Sequence, residues 1–339
     1  MKAGQKEKIF MKPKIQDVAK VAGVSPTTVS RVLNDRGYIS SKTKEKVFAA
    51  MKEINYIPND LARSLYNKRT YLIGVIVPST NHPFFGELVD NIERICNDKG
   101  YKVLLCNSLQ EAEKEKKYWD MLQRNQVDGV IVVTYNRGLV DKEQQFPAVV
   151  IDHYLSENIH VVSSDNFQGG EMATKELIEA GCENIIHING DVNLETPANE
   201  RQYAYEKVMH DAGRIPLTYH VPNVAYLESN IDIIKQLFKE NPDVDGIFAS
   251  DDLLAIRTLQ YAESLGYKIP EDLKIIGYDG TGLIRSIYPD LSTIIQPTYQ
   301  IAENAVETLI QEIDGKPHDL KEKTFPVSLW KGKTTGHVT

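Results

Sequence analysis

The sequence predicts an all-helical N-terminal head followed by an α/β body of two doubly wound halves, each built on a parallel sheet. Three observations lead there. Short apolar-periodic helical stretches fill residues 14–56. From Tyr71 onward, apolar runs bounded by turn residues alternate with helical patterns. Charge divides between the two regions: residues 1–70 hold 15 Lys and Arg against 6 Asp and Glu, a balance of +9, and the rest holds 24 against 41, or −17. A basic head on an acidic body points to a head that alone meets a polyanion; a merely solvated lysine-rich terminus is the plain alternative.

The 339 residues suit two or three domains, and a composition 42% hydrophobic and 25% charged buries substantial cores. No apolar run approaches the roughly 18 residues of a membrane span. The start, MKAGQKEKIFMKPKIQ, has lysines without a following hydrophobic stretch, so no signal peptide is expected. Cys96, Cys106 and Cys182 are odd in number and share no metal-type spacing, which favours reduced structural thiols in the cytoplasm and no metal site.

In the head, IQDVAKVA sets Ile15, Val18 and Ala22 on one stripe, and Gly23 suits a left-handed turn. Ser25 is a good N-cap and Pro26 fits the first position of the next helix. There Val29, Val32 and Leu33 face inward, leaving Thr27, Ser30, Arg31 and Asn34 outward. Ser41 or Thr43 is expected to start a third helix on which Val47, Met51 and Ile54 recur. Helix, glycine turn and a second helix with a small polar face make a helix-turn-helix, whose second helix enters the major groove of duplex DNA; a plain three-helix bundle is the alternative. Small side chains let the backbone approach the bases, and Arg31 reaches a guanine edge or a phosphate. Pro58 ends the third helix, and Asn59 is placed to cap a short helix, DLARSLYNK.

In the body, YLIGVIVP, YKVLLCN, VDGVIVVT, PAVVIDH, ENIIHING, DVDGIFASD and LKIIGYDG read as buried parallel strands. FFGELVDNIERICND, EKEKKYWDMLQRNQ and the stretches around 169–180, 199–212, 228–240 and 253–265 read as helices. KTFPVSLW is the last strand pattern, and no Gly/Ser-rich linker separates the halves, so several chain crossings are expected. Ligands on such sheets bind beyond the carboxyl ends of the strands. Those ends carry Phe84, Phe85, Thr134, Tyr135, Asp152, His153, Asp165, Asn166, Asp251, Asp252, Asp279 and Gln296, with Arg201 opening a helix. Carboxylates, an arginine and an amide suit vicinal hydroxyls, and phenylalanines suit the apolar face of a sugar ring. Taken singly, each also reads as a cap or core residue: Asp165 caps a helix, and Phe84 and Phe85 pack in a core.

DVAKVAGVSPTTVSRVLN followed by SSKTKEKVFAAMKEINYIPNDLARSL resembles the headpiece of LacI-family transcription regulators. The body resembles that family's effector domain, itself similar to periplasmic sugar-binding proteins, so the likeness covers nearly all of residues 12–333. RGY, SSDN, TPANERQ, IFASDD and GYDGT most resemble sucrose-operon repressors of Gram-positive bacteria. The resemblance implies a disordered extension at 1–11, a DNA-binding head at 12–58 and a hinge helix at 59–70. It implies an effector-binding and dimerisation domain at 71–333, its first half about 71–165 and 296–325 and its second about 166–295 and 326–333.

It further implies DNA contacts from Ser25, Pro26, Thr27, Thr28, Ser30, Arg31 and Asn34, with Pro26, Thr27 and Arg31 at base-reading positions. The hinge adds Asn59, Ala62, Arg63 and Leu65, the last wedged between central base steps in the minor groove. Effector-contact positions match at Phe84, Phe85, Asp152, Arg201, Asp252, Asp279 and Gln296, while Ala225 stands where many relatives carry an aromatic platform and Tyr226 adjoins it. The implied partners are a pseudo-palindromic double-stranded operator, a small sugar or sugar phosphate such as sucrose or fructose, and a second copy in a homodimer. No cofactor and no membrane are implied.

Rival functions fit less well. G-x-G-x-x-G, P-loop and G-x-S-x-G patterns are absent, and an acid/base pair of strand-end Asp residues leaves the basic head unexplained. A sugar-binding receptor without a DNA role needs export. A global carbon-catabolite regulator working with a phosphorylated phosphocarrier protein stays open. No leucine heptads follow KTFPVSLW, so a dimer rather than a coiled-coil tetramer is expected, at a cytoplasmic, nucleoid-associated address.

Overall fold

The computed structural model describes residues 13–34, 36–57, 69–124, 127–134, 139, 146–152, 159–190, 197–221, 230–316 and 322–337. Two compact units divide at Thr70 and Tyr71. Among its described residues the first has three helices, α1 (Ile15–Ala22), α2 (Pro26–Leu33) and α3 (Ser41–Glu53). Helices of eight residues are marginal alone, so packing holds them. Val18, Val29 and Val47, one from each helix, are fully buried together, with Ala22, Val32 and Ala50 around them. Each such valine contributes on the order of 1.5–3 kcal/mol relative to exposure. Gly23 ends α1 at φ 66°, the left-handed value that costs a Cβ-bearing residue, and turns the chain into α2. The third helix starts at Ser41, one of the two expected positions, and the Ser40 hydroxyl caps it by accepting the Thr43 N–H at 3.3 Å. A cap precedes the first helical residue, and Ser41 is already helical.

The second unit holds two six-stranded sheets. The first joins β1 (Leu72–Val77), β2 (Lys102–Asn107), β3 (Gly129–Val133), β4 (Ala148–Ile151), β5 (His160–Ser164) and β11 (Lys323–Phe325), in the order β11-β5-β4-β3-β1-β2 and all parallel. Helices α4 (Pro83–Asp98), α5 (Ala112–Arg124) and α11 (Thr298–Ile313) accompany it. The second joins β6 (Ile185–Asn189), β7 (Leu217–His220), β8 (Gly246–Ala249), β9 (Lys274–Asp279), β10 (Ser292–Ile295) and β12 (Ser328–Trp330), in the order β12-β10-β9-β8-β6-β7. Among the described residues, β12 alone pairs antiparallel in it. Helices α6 (Asn166–Glu179), α7 (Pro197–Asp211), α8 (Ile231–Glu240), α9 (Asp252–Ser264) and α10 (Gly282–Ile287) surround it.

Each sheet buries both faces, which is why its strands read as continuous apolar runs rather than alternating ones. Val75, Ile92, Val306 and Leu309 fill one side of the first sheet, and Ile76, Trp119, Leu122 and Val130 the other. Ile188, Leu237, Ile247 and Leu254 fill one side of the second, and Leu177, Tyr205, Phe248 and Ile276 the other. Three short segments carry the chain between the halves: Asp165 between β5 and α6, Gln296–Pro297 between β10 and α11, and Pro326–Val327 between β11 and β12. KTFPVSLW is therefore two strands in different sheets. Pro326, which lacks a ladder donor, sits at the switch.

Candidate functional site

Two surfaces were expected to carry function. On the head, α2 begins with Ser25, whose hydroxyl accepts the Thr28 N–H at 3.1 Å and pairs with the Thr28 hydroxyl at 2.9 Å. It ends with Asn34, whose amide donates to the Ser30 carbonyl at 2.9 Å. Ser25, Thr28 and Asn34 thus hold the helix ends, and Ser30 and Thr28 are half-buried. Pro26, Thr27 and Arg31 are exposed, on the face opposite Val29 and Val32. The expected hinge residues Asn59, Ala62, Arg63 and Leu65 lie outside the described residues, as do Tyr135, His153, Ala225 and Tyr226.

In the body, the strand-end positions converge on a hydrogen-bonded network that ties the two sheets together. Ser164, last in β5, donates its hydroxyl to Gln296 Oε1 at 2.5 Å, and Gln296 Nε2 donates to Asp279 Oδ1 at 2.7 Å. From the same corner Asn166 Nδ2 donates to the Ser164 carbonyl at 3.0 Å. Arg201 Nε donates to Asn166 Oδ1 at 2.8 Å, and its Nη1 to the Ser250 carbonyl at 2.6 Å. The guanidinium lies 3.6 Å over the Tyr278 ring, the favourable geometry for a buried cation on a π face. Arg201 reaches this place because α7 runs unusually close to α6: a Cβ on Gly170 would stand 2.4 Å from the Arg201 carbonyl oxygen. One more bridge joins the lobes, where Glu87 of α4 accepts the Gly282 N–H and the Thr298 hydroxyl, each at 2.6 Å.

The electrostatics follow from burial. Asp279 is pushed up to about 6, first by loss of water; His82 and Arg201 oppose that, Asp251 adds to it, and the Gln296 bond lowers it. Burial likewise lifts Asp152 to about 6, with Arg201 and the Ser164 backbone lowering it and Asp279 raising it. Both residues hold positive φ, 64° at Asp152 and 98° at Asp279, strain of the sort concentrated at ligand sites. Asp152 Oδ1, His82 Nδ1 and Asn189 Oδ1 are buried without a hydrogen-bond partner.

The remaining expected residues sit differently. Phe84 and Phe85 pack in the core of the first sheet, edge to face at 5.3 Å. Thr134 is fully buried and donates to Glu115 Oε2 at 2.5 Å. Asp165 caps α6 through the Gln168 N–H at 2.8 Å. Both Asp252 oxygens are engaged, one by the Thr293 hydroxyl at 2.5 Å and one by the Gly280 N–H at 2.9 Å. Burial raises that carboxyl well above its usual range. Sequence reasoning missed Ser164, Ser250, Tyr278, Glu87 and Asn189. Serine and tyrosine inside apolar runs give no local signal, and only the strand-end position of Asn189 was readable. Among the described residues no group of His, Cys, Asp and Glu is arranged to hold a metal ion, and no helix is long and apolar enough to cross a membrane.

A helix-turn-helix head followed by a two-lobed body with a buried polar network between its sheets is the architecture of a ligand-responsive DNA-binding regulator. Residues 14–59 match the bacterial regulatory proteins of the lacI family, and residues 174–335 match a periplasmic binding protein-like domain. The sucrose operon repressor of Pediococcus pentosaceus is 46% identical over 96% of this chain and 100% of its own length. That of Streptococcus mutans serotype c is 44% identical with the same coverages. The solved lac repressor dimer bound to operator and the anti-inducer ONPF superposes with a TM-score of 0.83 at 26% identity, covering 96% of this chain and 99% of that one. The chain belongs to the lacI family of bacterial regulatory proteins. It is a DNA-binding repressor of a metabolic operon.

Proposed function

We propose that the chain represses a carbohydrate-utilisation operon in the cytoplasm, binding a pseudo-palindromic operator as a homodimer and leaving it when a sugar or sugar phosphate enters the cleft. The observation that carries this is the Arg201 network, which ends strands of both sheets on one buried cation and two raised carboxylates. In this reading Asp152, Arg201, Asp279 and Gln296 contact the sugar. Phe84, Phe85, Thr134, Asp165 and Asp252 shape the walls behind it, since their polar groups and rings are already packed or bonded.

On the head, Pro26, Thr27 and Arg31 read bases, while Ser25, Thr28, Ser30 and Asn34 set the helix and approach the backbone. Asn59, Ala62, Arg63 and Leu65 act in the minor groove, with Leu65 as the wedge. Two exposed apolar surfaces support dimerisation: Leu104 and Leu105 on edge strand β2, 37% and 40% exposed, and Leu283 and Ile287 on α10, 60% and 66% exposed. A two-fold dimer matches the symmetry of a palindromic site. The relatives named for a sucrose operon favour sucrose or its fructose half as effector.

The test is titration of sucrose, fructose and their phosphates into the protein–operator complex. Release by a small molecule alone supports the reading. Release or tightening only with a phosphorylated carrier protein supports the global regulator instead, and turnover of the sugar supports an enzyme.

A further inference from the structure

Three buried polar atoms stand without a partner at the same end of the strands: His82 Nδ1 after β1, Asp152 Oδ1 after β4, and Asn189 Oδ1 closing β6. Asn189 is 2% exposed, and its Nδ2 is held by Gln202 Oε1 at 2.9 Å, which fixes the carbonyl side of the amide. A buried acceptor left unmatched costs stability unless a ligand supplies a donor. Two of the three atoms, Asp152 Oδ1 and Asn189 Oδ1, accept only.

Arg201, the cation that both raised carboxylates sense, already directs Nε and Nη1 to Asn166 and Ser250. Burial lifts Asp152 and Asp279, and neighbouring carboxylates add to it, Asp279 on Asp152 and Asp251 on Asp279. A phosphate monoester keeps its parent sugar's other hydroxyls but adds between one and two negative charges and several acceptor oxygens beside carboxylates that already repel one another. A hydroxyl brings a donor and no charge.

We propose that the cleft selects an uncharged sugar over its phosphate ester, with Asn189 and Asp152 receiving two of its hydroxyl protons. This rests on the cleft being the effector site, and it adds Asn189 to the residues that determine which effector is taken.

Calorimetric titration of the full chain at pH 7.5 with sucrose, fructose, sucrose 6-phosphate and fructose 6-phosphate tests it. At least one uncharged sugar is expected to bind, and its ester at least tenfold more weakly. Asn189→Leu is expected to weaken the sugar tenfold or more. Asp152→Asn, nearly isosteric and relieved of a buried charge, is expected to fold and to narrow the sugar-to-ester ratio, because it removes repulsion of the ester while weakening the sugar. An ester that binds the unmodified chain as tightly as its parent sugar overturns the proposal and leaves the cleft reading intact if Arg201→Leu abolishes that binding. Sugar binding indifferent to Asn189→Leu, Asp152→Asn and Arg201→Leu overturns the cleft reading itself. Absence of binding by all four compounds also counts against the proposal.

Discussion

Arg31 leaves α2 exposed while its polar neighbours Ser25, Thr28 and Asn34 are bonded to the helix ends, so it is the longest donor on that face. Arg31→Ala is expected to weaken specific operator binding by about 1–3 kcal/mol with little change in the thermal midpoint; unchanged affinity for the cognate site would make the residue incidental. Asp279 carries a different cost. Its native pKa of about 6 stands above the ordinary 3.8 of an aspartate, so the stability linked to its protonated form is fully present below the unfolded value and is lost as pH rises through 6. Above that, the ionised buried carboxylate costs on the order of 3 kcal/mol. Asp279→Asn is therefore expected to raise the thermal midpoint by several degrees at pH 7.5, to leave it nearly unchanged at pH 4, and to abolish sugar binding. An equal gain at both pH values contradicts the ionic origin of that cost. Asp152 follows the same sign, so sugar affinity is expected to fall as pH drops through 6, where the acceptors become protonated.

At the scale of elements, the close contact of α6 and α7 places Arg201. A Cβ at Gly170 would also meet Ala204 Cβ at 2.8 Å, and one at Gly169 the Tyr278 hydroxyl at 2.3 Å. Gly170→Ala is expected to push α7 outward, cost about 1–3 kcal/mol of stability and weaken sugar binding, because Arg201 loses its reach to Ser250; calorimetry showing native affinity would sink that assignment. Most of these elements were legible in the sequence, since apolar runs and helical periodicity are local properties. The misses are those local pattern does not encode. KTFPVSLW reads as one strand because nothing in eight residues says that Pro326 marks a change of sheet. The edge strand β7, half-exposed along LTYH, lacks the apolar run that announced its neighbours. In the site, the strand-end positions of Asp152, Asp279 and Gln296 and the helix-opening position of Arg201 were legible in the sequence, but Ser164 meets Gln296 across 132 residues, a contact only tertiary structure creates. Phe84 and Thr134 illustrate the reverse: a position beside a strand end does not say which way a side chain faces, and both face into the core.

Across the whole molecule, the two lobes are linked by three chain crossings, by the Ser164–Gln296–Asp279 chain and by Glu87, so a ligand bonded to both lobes alters how they are held. Coupling of that kind is a free energy shared by two ligands, and it is reciprocal. If sugar weakens operator binding, operator must weaken sugar binding by the same factor, about 5–150-fold in systems of this type. The most direct measurement is the dissociation constant of the effective sugar for the free protein and for the protein saturated with operator. A weaker sugar affinity on operator, by a factor equal to the loss of operator affinity in saturating sugar, is the expected result. Identical sugar affinities in the two states contradict the account.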